Sequence, residues 1–125
     1  MEKSILVIDD DSLVTHSLSN LLAKDGYSTT TSQDGYDALD KVIKEKDFDL
    51  IVCDIRLPGI NGVEIVKRIK EHLRSMNKPD VPVIFITGYT DTDLHIEAQN
   101  LGKLFLKPFD TKDFLNSIRE YIEEK

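Results

Sequence analysis

The sequence predicts an α/β protein: a five-stranded parallel sheet in the order 2-1-3-4-5, doubly wound with five helices. Three observations point there. Five short apolar runs recur along the 125 residues, stretches of helical periodicity alternate with them, and the connections are short throughout. The runs fall at residues 5–8, 27–31, 50–53, 81–86 and 104–106. The first, third, fourth and fifth are continuously apolar, the pattern of parallel strands covered on both faces. Residues 27–31 are more polar, which suits an edge strand.

Each helix then follows from its stripe. Val14, Leu18, Leu21 and Leu22 make the first, and Ala38, Leu39, Val42 and Ile43 the second. Val66, Ile69 and Leu73 form the third, after Asn61-Gly62-Val63-Glu64, which resembles a capping box with asparagine as the cap. Leu94, Ala98 and Leu101 give a weaker fourth. Phe114, Leu115, Ile118 and Ile122 give the last, after an Asp110 cap. Gly26 and Gly102 stand where the first and fourth helices should end. Asp11 reads as a helix cap, with Ser12 as the other candidate.

Composition narrows the function. Apolar content of 40% and charged content of 31% fit one globular domain over residues 1–125. A net charge of −7 disfavours unaided nucleic-acid binding, which needs a basic face, and favours metal ions and proteins as partners. Cys53 is the single cysteine, so a thiolate cluster or an internal disulfide is excluded. With no signal-like or membrane-spanning segment, the expected location is the cytoplasm.

Open parallel sheets form their sites at the carboxyl ends of the strands. There the chain places Asp9-Asp10 after the first strand, Asp54 after the third, Thr87-Gly88 after the fourth and Lys107-Pro108 after the fifth. In the expected strand order Asp54 is central, and Lys107 stands two strands away, roughly 10 Å at ordinary strand spacing. Asp9, Asp10 and Asp54 would repel one another by on the order of 4 kcal/mol per close pair. A divalent cation offsets that, and a few carboxylate oxygens suit Mg²⁺, which keeps open positions for a phosphoryl oxygen. His16, His72 and His95 have no partners at ligand spacing and read as surface or boundary residues. Cys53 reads as a small core residue.

These residues resemble a family. "VIDDD", "DLIVCDIRLPGINGVEIV", "VIFITGYT" and "LKPF" occur in the order seen in the receiver domain of bacterial two-component response regulators, chemotaxis regulators among them. The resemblance covers the whole chain. It implies that Asp54 accepts a phosphoryl group from a phosphohistidine of a sensor kinase or phosphotransfer protein. It implies Mg²⁺ held by Asp9, Asp10, Asp54 and the Arg56 backbone carbonyl, with Thr87 and Lys107 on the phosphoryl oxygens. A cis Lys107–Pro108 bond, and a downstream target protein or an attached output domain, are implied as well. The expected role is a switch that chemically modifies only itself.

Two features depart from the pattern. The family's aromatic residue, three before the lysine, is Leu104 here; Phe105 follows it and should face the other side of the strand. Arg56 and Tyr89 are bulky residues at positions that tune phosphate lifetime in this family, and a longer lifetime is expected. Arg56 also stands where aspartate-nucleophile phosphatases carry a second acid, which disfavours turnover of external esters. A flavin protein of the same topology is disfavoured because the three aspartates would repel the cofactor phosphate.

Overall fold

Every strand of the computed structural model runs parallel to its neighbour, in the order β2-β1-β3-β4-β5. The structure describes residues 2–44, 47–88 and 92–123. Strands β1 (Ser4–Ile8), β2 (Ser28–Ser32), β3 (Leu50–Asp54), β4 (Val83–Thr87) and β5 (Lys103–Leu106) alternate with α1 (Ser12–Lys24), α2 (Gly35–Lys44), α3 (Gly62–Ser75), α4 (Thr92–Leu101) and α5 (Thr111–Glu123). The expected fold class and strand order are those observed.

The sheet divides the core in two, because side chains alternate along each strand. On one face Leu6, Ile51, Cys53, Val83 and Phe85 pack with Ala38, Val42, Val63, Val66 and Ile69 of α2 and α3, and with Ala98 of α4. On the other, Ile5, Val7, Val52, Ile84 and Ile86 pack with Leu18 and Leu22 of α1 and Phe114 and Ile118 of α5. β1, β3 and β4 are wholly buried. Their unbroken apolar runs are what two covered faces require.

Element ends follow their local chemistry. Asp11 caps α1, its carboxylate accepting from the Leu13 N–H at 2.9 Å, so Asp11 rather than Ser12 is the cap. Asn61 caps α3 through the Glu64 N–H at 2.9 Å. Asp110 accepts from the Lys112 and Asp113 amides at the start of α5. Gly26, at φ +91°, closes α1: its N–H reaches the Ala23 carbonyl while that of Tyr27 reaches Leu22.

The strands differ from expectation in their bounds and in the cover of β5. β4 starts at Val83 instead of residue 81, because Pro82 has no N–H to give the ladder. β2 starts at Ser28, since Tyr27 belongs to the turn and buries its ring in the core. β5 is covered only in part: Leu104 and Phe105 pack on opposite faces of the sheet, while Lys103 and Leu106 are exposed, as the edge position allows.

Candidate functional site

The parallel register brings the expected residues to one rim of the sheet. Ile8 pairs with Cys53, Asp54 with Ile86 and Thr87 with Leu106, so the strands end nearly level. Backbone bonds then join the ends. The Ile55 N–H donates to the Ile86 carbonyl at 3.2 Å, the Lys107 N–H to Thr87 at 2.8 Å, and the Asp9 N–H to Ser32 at 3.1 Å. Side chains far apart in sequence are thereby fixed on a rigid frame.

Asp9, Asp10 and Asp54 converge, each offering an oxygen within 4.8 Å of those of the others. Asp9 is fully buried, Asp54 is 6% exposed, and Asp10 lies at the surface. Asp9 divides its carboxylate: one oxygen accepts from the Asp11 N–H at 3.0 Å, the other from Lys107 Nζ at 3.0 Å. Lys107 Nζ also stands 3.5 Å from Asp54 Oδ2. Its side chain therefore crosses the whole gap between strands, further than spacing alone implies. The Arg56 N–H donates to Asp54 Oδ1 at 3.3 Å, which holds residue 56 beside the carboxylate. Thr87 is completely buried at the end of β4. The Lys107–Pro108 peptide is cis.

Electrostatics make this a site short of positive charge. Burial, and then the neighbouring Asp9 charge, push the Asp54 carboxyl up to about 6, against the opposing pull of Lys107 and the Arg56 N–H. Burial works against the Lys107 cation, yet Asp9 and Asp54 outweigh it and raise its pKa above the ordinary lysine value. Asp9, Asp10, Asp54 and Lys107 together sum to −2 if all are ionised. The donor set is entirely oxygen and partly open to solvent through Asp10. That fits a small hard dication such as Mg²⁺, held by Asp9, Asp10 and Asp54.

The remaining expectations sort cleanly. Leu104 packs on the α2–α3 face, as does Phe85 of the neighbouring strand, whereas Phe105 packs on the α1–α5 face against Phe109 and Phe114. His16 is exposed, and His72 and His95 are half-buried. Tyr89 lies outside the described residues. Two contacts escape a linear reading: Gly62 packs on the Asp54 carbonyl, and the Cys53 thiol donates to that same oxygen at 3.2 Å. The "CD" pair and the "NG" step gave no signal of them, because residues 54 and 62 meet only after the loop closes.

Known proteins resemble this chain in both sequence and structure. The family model for the response regulator receiver domain matches residues 5–119. Sporulation initiation phosphotransferase F of Bacillus subtilis is 35% identical, over 100% of this chain and 98% of its own length. Transcriptional regulatory protein ZraR of Klebsiella oxytoca is 40% identical over 85% of this chain, which spans 23% of that protein. Among solved structures, a CheY-like receiver domain protein from Methanospirillum hungatei superposes with a TM-score of 0.87 at 27% identity, covering 99% of this chain and 96% of that one. Response regulator TrrA of Thermotoga maritima, solved with Mg²⁺ and BeF, superposes with a TM-score of 0.82 at 26% identity, covering 95% and 98%.

Proposed function

This chain belongs to the response regulator receiver domain family, and from that premise we propose that Asp54 is its phosphoacceptor. Receiver domains are the phosphorylation-dependent elements of two-component signalling. The observation that carries the assignment is the position of Asp54: buried, central in the sheet, beside Asp9 and Asp10, with Lys107 Nζ 3.5 Å away.

An Asp54 carboxylate oxygen attacks phosphorus in line. The bond to the donor's imidazole nitrogen breaks, and the imidazole leaves, to be protonated from water. The product is an acyl phosphate. Such a transfer asks the protein chiefly for positioning and for positive charge near the phosphoryl oxygens. Lys107 is poised to supply charge, because it already lies between Asp9 and Asp54. Thr87, at the end of the adjacent strand, offers a hydroxyl donor. Asp9, Asp10, Asp54 and the Arg56 carbonyl would hold Mg²⁺, which when bound would supply charge to offset the carboxylates and the incoming phosphoryl group. The cage acts on its own carboxylate and has no second acid at residue 56, so the chain is a switch and not an enzyme with external turnover.

The donor is a sensor histidine kinase or a phosphotransfer protein, and the recipient of the signal is a downstream protein or an attached output domain. Near-complete coverage of sporulation initiation phosphotransferase F supports onward transfer in a relay as one use of the acyl phosphate. Among the described residues no helix is long and apolar enough to cross a membrane; membership of the receiver family supports a cytoplasmic place of work.

Incubation with acetyl phosphate and Mg²⁺ tests the assignment. Intact mass should rise by one phosphoryl group in the native chain and stay unchanged in Asp54→Asn; equal labelling of both would refute it.

A further inference from the structure

The first turn of α3 rests on the backbone of the acceptor strand. A β-carbon at Gly62 would lie 2.1 Å from the Asp54 carbonyl oxygen, 3.0 Å from its carbonyl carbon and 3.0 Å from Cys53 Sγ. The obstacle is backbone, which cannot rotate aside as a side chain can. Gly62 is not among the residues at positive φ, so space, not conformational freedom, demands glycine. Its N–H donates to the Ile55 carbonyl at 2.7 Å. Residues 54–62 thus leave the sheet and return to the peptide they left.

The Asp54–Ile55 peptide is held from every side. Its carbonyl oxygen accepts the Cys53 thiol at 3.2 Å and is covered by Gly62. Its N–H donates to the Ile86 carbonyl at 3.2 Å. The Asp54 Cα is one end of this peptide plane, and Arg56 follows one residue beyond the other end.

Resting on the reading of Asp54 as acceptor, we propose that Cys53 and Gly62 are positioning residues: together they fix the Asp54–Ile55 peptide plane, and so aim the Asp54 carboxylate and the Arg56 carbonyl at a shared cation. Neither touches the phosphoryl group. Cys53 acts through its S–H donor, and Gly62 through its missing side chain. A cysteine valued only for its small apolar volume would be replaced by alanine at a cost in stability alone.

The test compares Cys53→Ala, which removes the donor, with Cys53→Ser, which restores one. Three quantities are read on the folded 125-residue chain: the ¹³C shift of the Asp54 carbonyl without metal, the Mg²⁺ dissociation constant by NMR titration, and the rate of labelling by acetyl phosphate. Losing a net hydrogen bond of about 1 kcal/mol predicts Mg²⁺ binding and labelling about fivefold weaker in Cys53→Ala, with the carbonyl resonance moved. Cys53→Ser should recover all three. An unmoved carbonyl with unchanged Mg²⁺ affinity in Cys53→Ala, or a Cys53→Ser protein as impaired as Cys53→Ala, overturns the role of Cys53. Gly62→Ala presses on the same carbonyl and should weaken Mg²⁺ more than Cys53→Ala; wild-type affinity in that variant removes Gly62 from the proposal, and if it does not fold, the Cys53 pair decides. Absence of label on the native chain would instead refute Asp54 as acceptor, while the carbonyl shift and the metal titration still judge the positioning.

Discussion

Asp54 is ionised at neutral pH against the preference of its surroundings. Its carboxyl, at about 6 in the fold, stands above the ordinary 3.8. The folded chain therefore holds that proton more tightly than the unfolded chain does. The resulting stability is fully present below about pH 4 and is lost as pH rises through about 6, staying lost above it. Without metal, Asp54→Asn should unfold at higher urea than the native chain at about pH 7.5, by on the order of 2 kcal/mol. The gap should narrow towards about pH 4.5, where the native carboxyl regains its proton. A gap of equal size at both pH values would show that the Asp54 charge is not its source. Asp9, Asp10, Asp54, Thr87 and Lys107 were legible in the sequence because charged and polar residues ending several apolar strands have no ordinary structural use together. Cys53 and Gly62 were not, since a small core residue and a residue beside a cap carry no mark of which carbonyl they will meet.

Strand β5 shows what pattern can and cannot tell at the level of an element. Its alternation was readable: Leu104 and Phe105 face opposite sides, as a one-residue offset in a strand demands. Its exposure was readable only in part: Leu104 and Phe105 pack on opposite faces as a covered strand would, while Leu106 is exposed because the strand order puts β5 on an edge. Thr87 follows Phe85 by two positions, so Thr87 and Leu104 share the face on which Leu94, Ala98 and Leu101 of α4 pack. Phe105 is instead locked in a cluster with Phe109 and Phe114, at centroid distances of 5.7 and 5.8 Å. A displacement of Thr87 towards a bound phosphoryl group should then be felt at Leu104 and α4. On addition of Mg²⁺ and beryllofluoride, the Leu104 methyl resonances should move while the Phe105 ring resonances hold still. Large shifts of the Phe105 ring with a silent Leu104 would place the coupling on the other face.

At the scale of the whole molecule, the site exists only when the fold does. Lys107 and Asp9 are 98 residues apart in the chain and 3.0 Å apart in the structure. Unfolding disperses the carboxylates, so a cation that needs several of them binds the native state almost exclusively, and binding adds directly to stability. Mg²⁺ at about ten times its dissociation constant should add about 1.4 kcal/mol, a rise in Tm of a few degrees for a domain of this length. A chain of net charge −7 gains something from any counterion, so the comparison must be made at matched ionic strength with Na⁺. Asp10 is the informative position, being the one surface-exposed member of the three. Asp10→Asn leaves the core untouched and should fold normally, yet lose most of the Mg²⁺-dependent rise in Tm. An Asp10→Asn protein stabilised by Mg²⁺ as much as the native chain would mean that the ion acts through diffuse charge and not through this cluster.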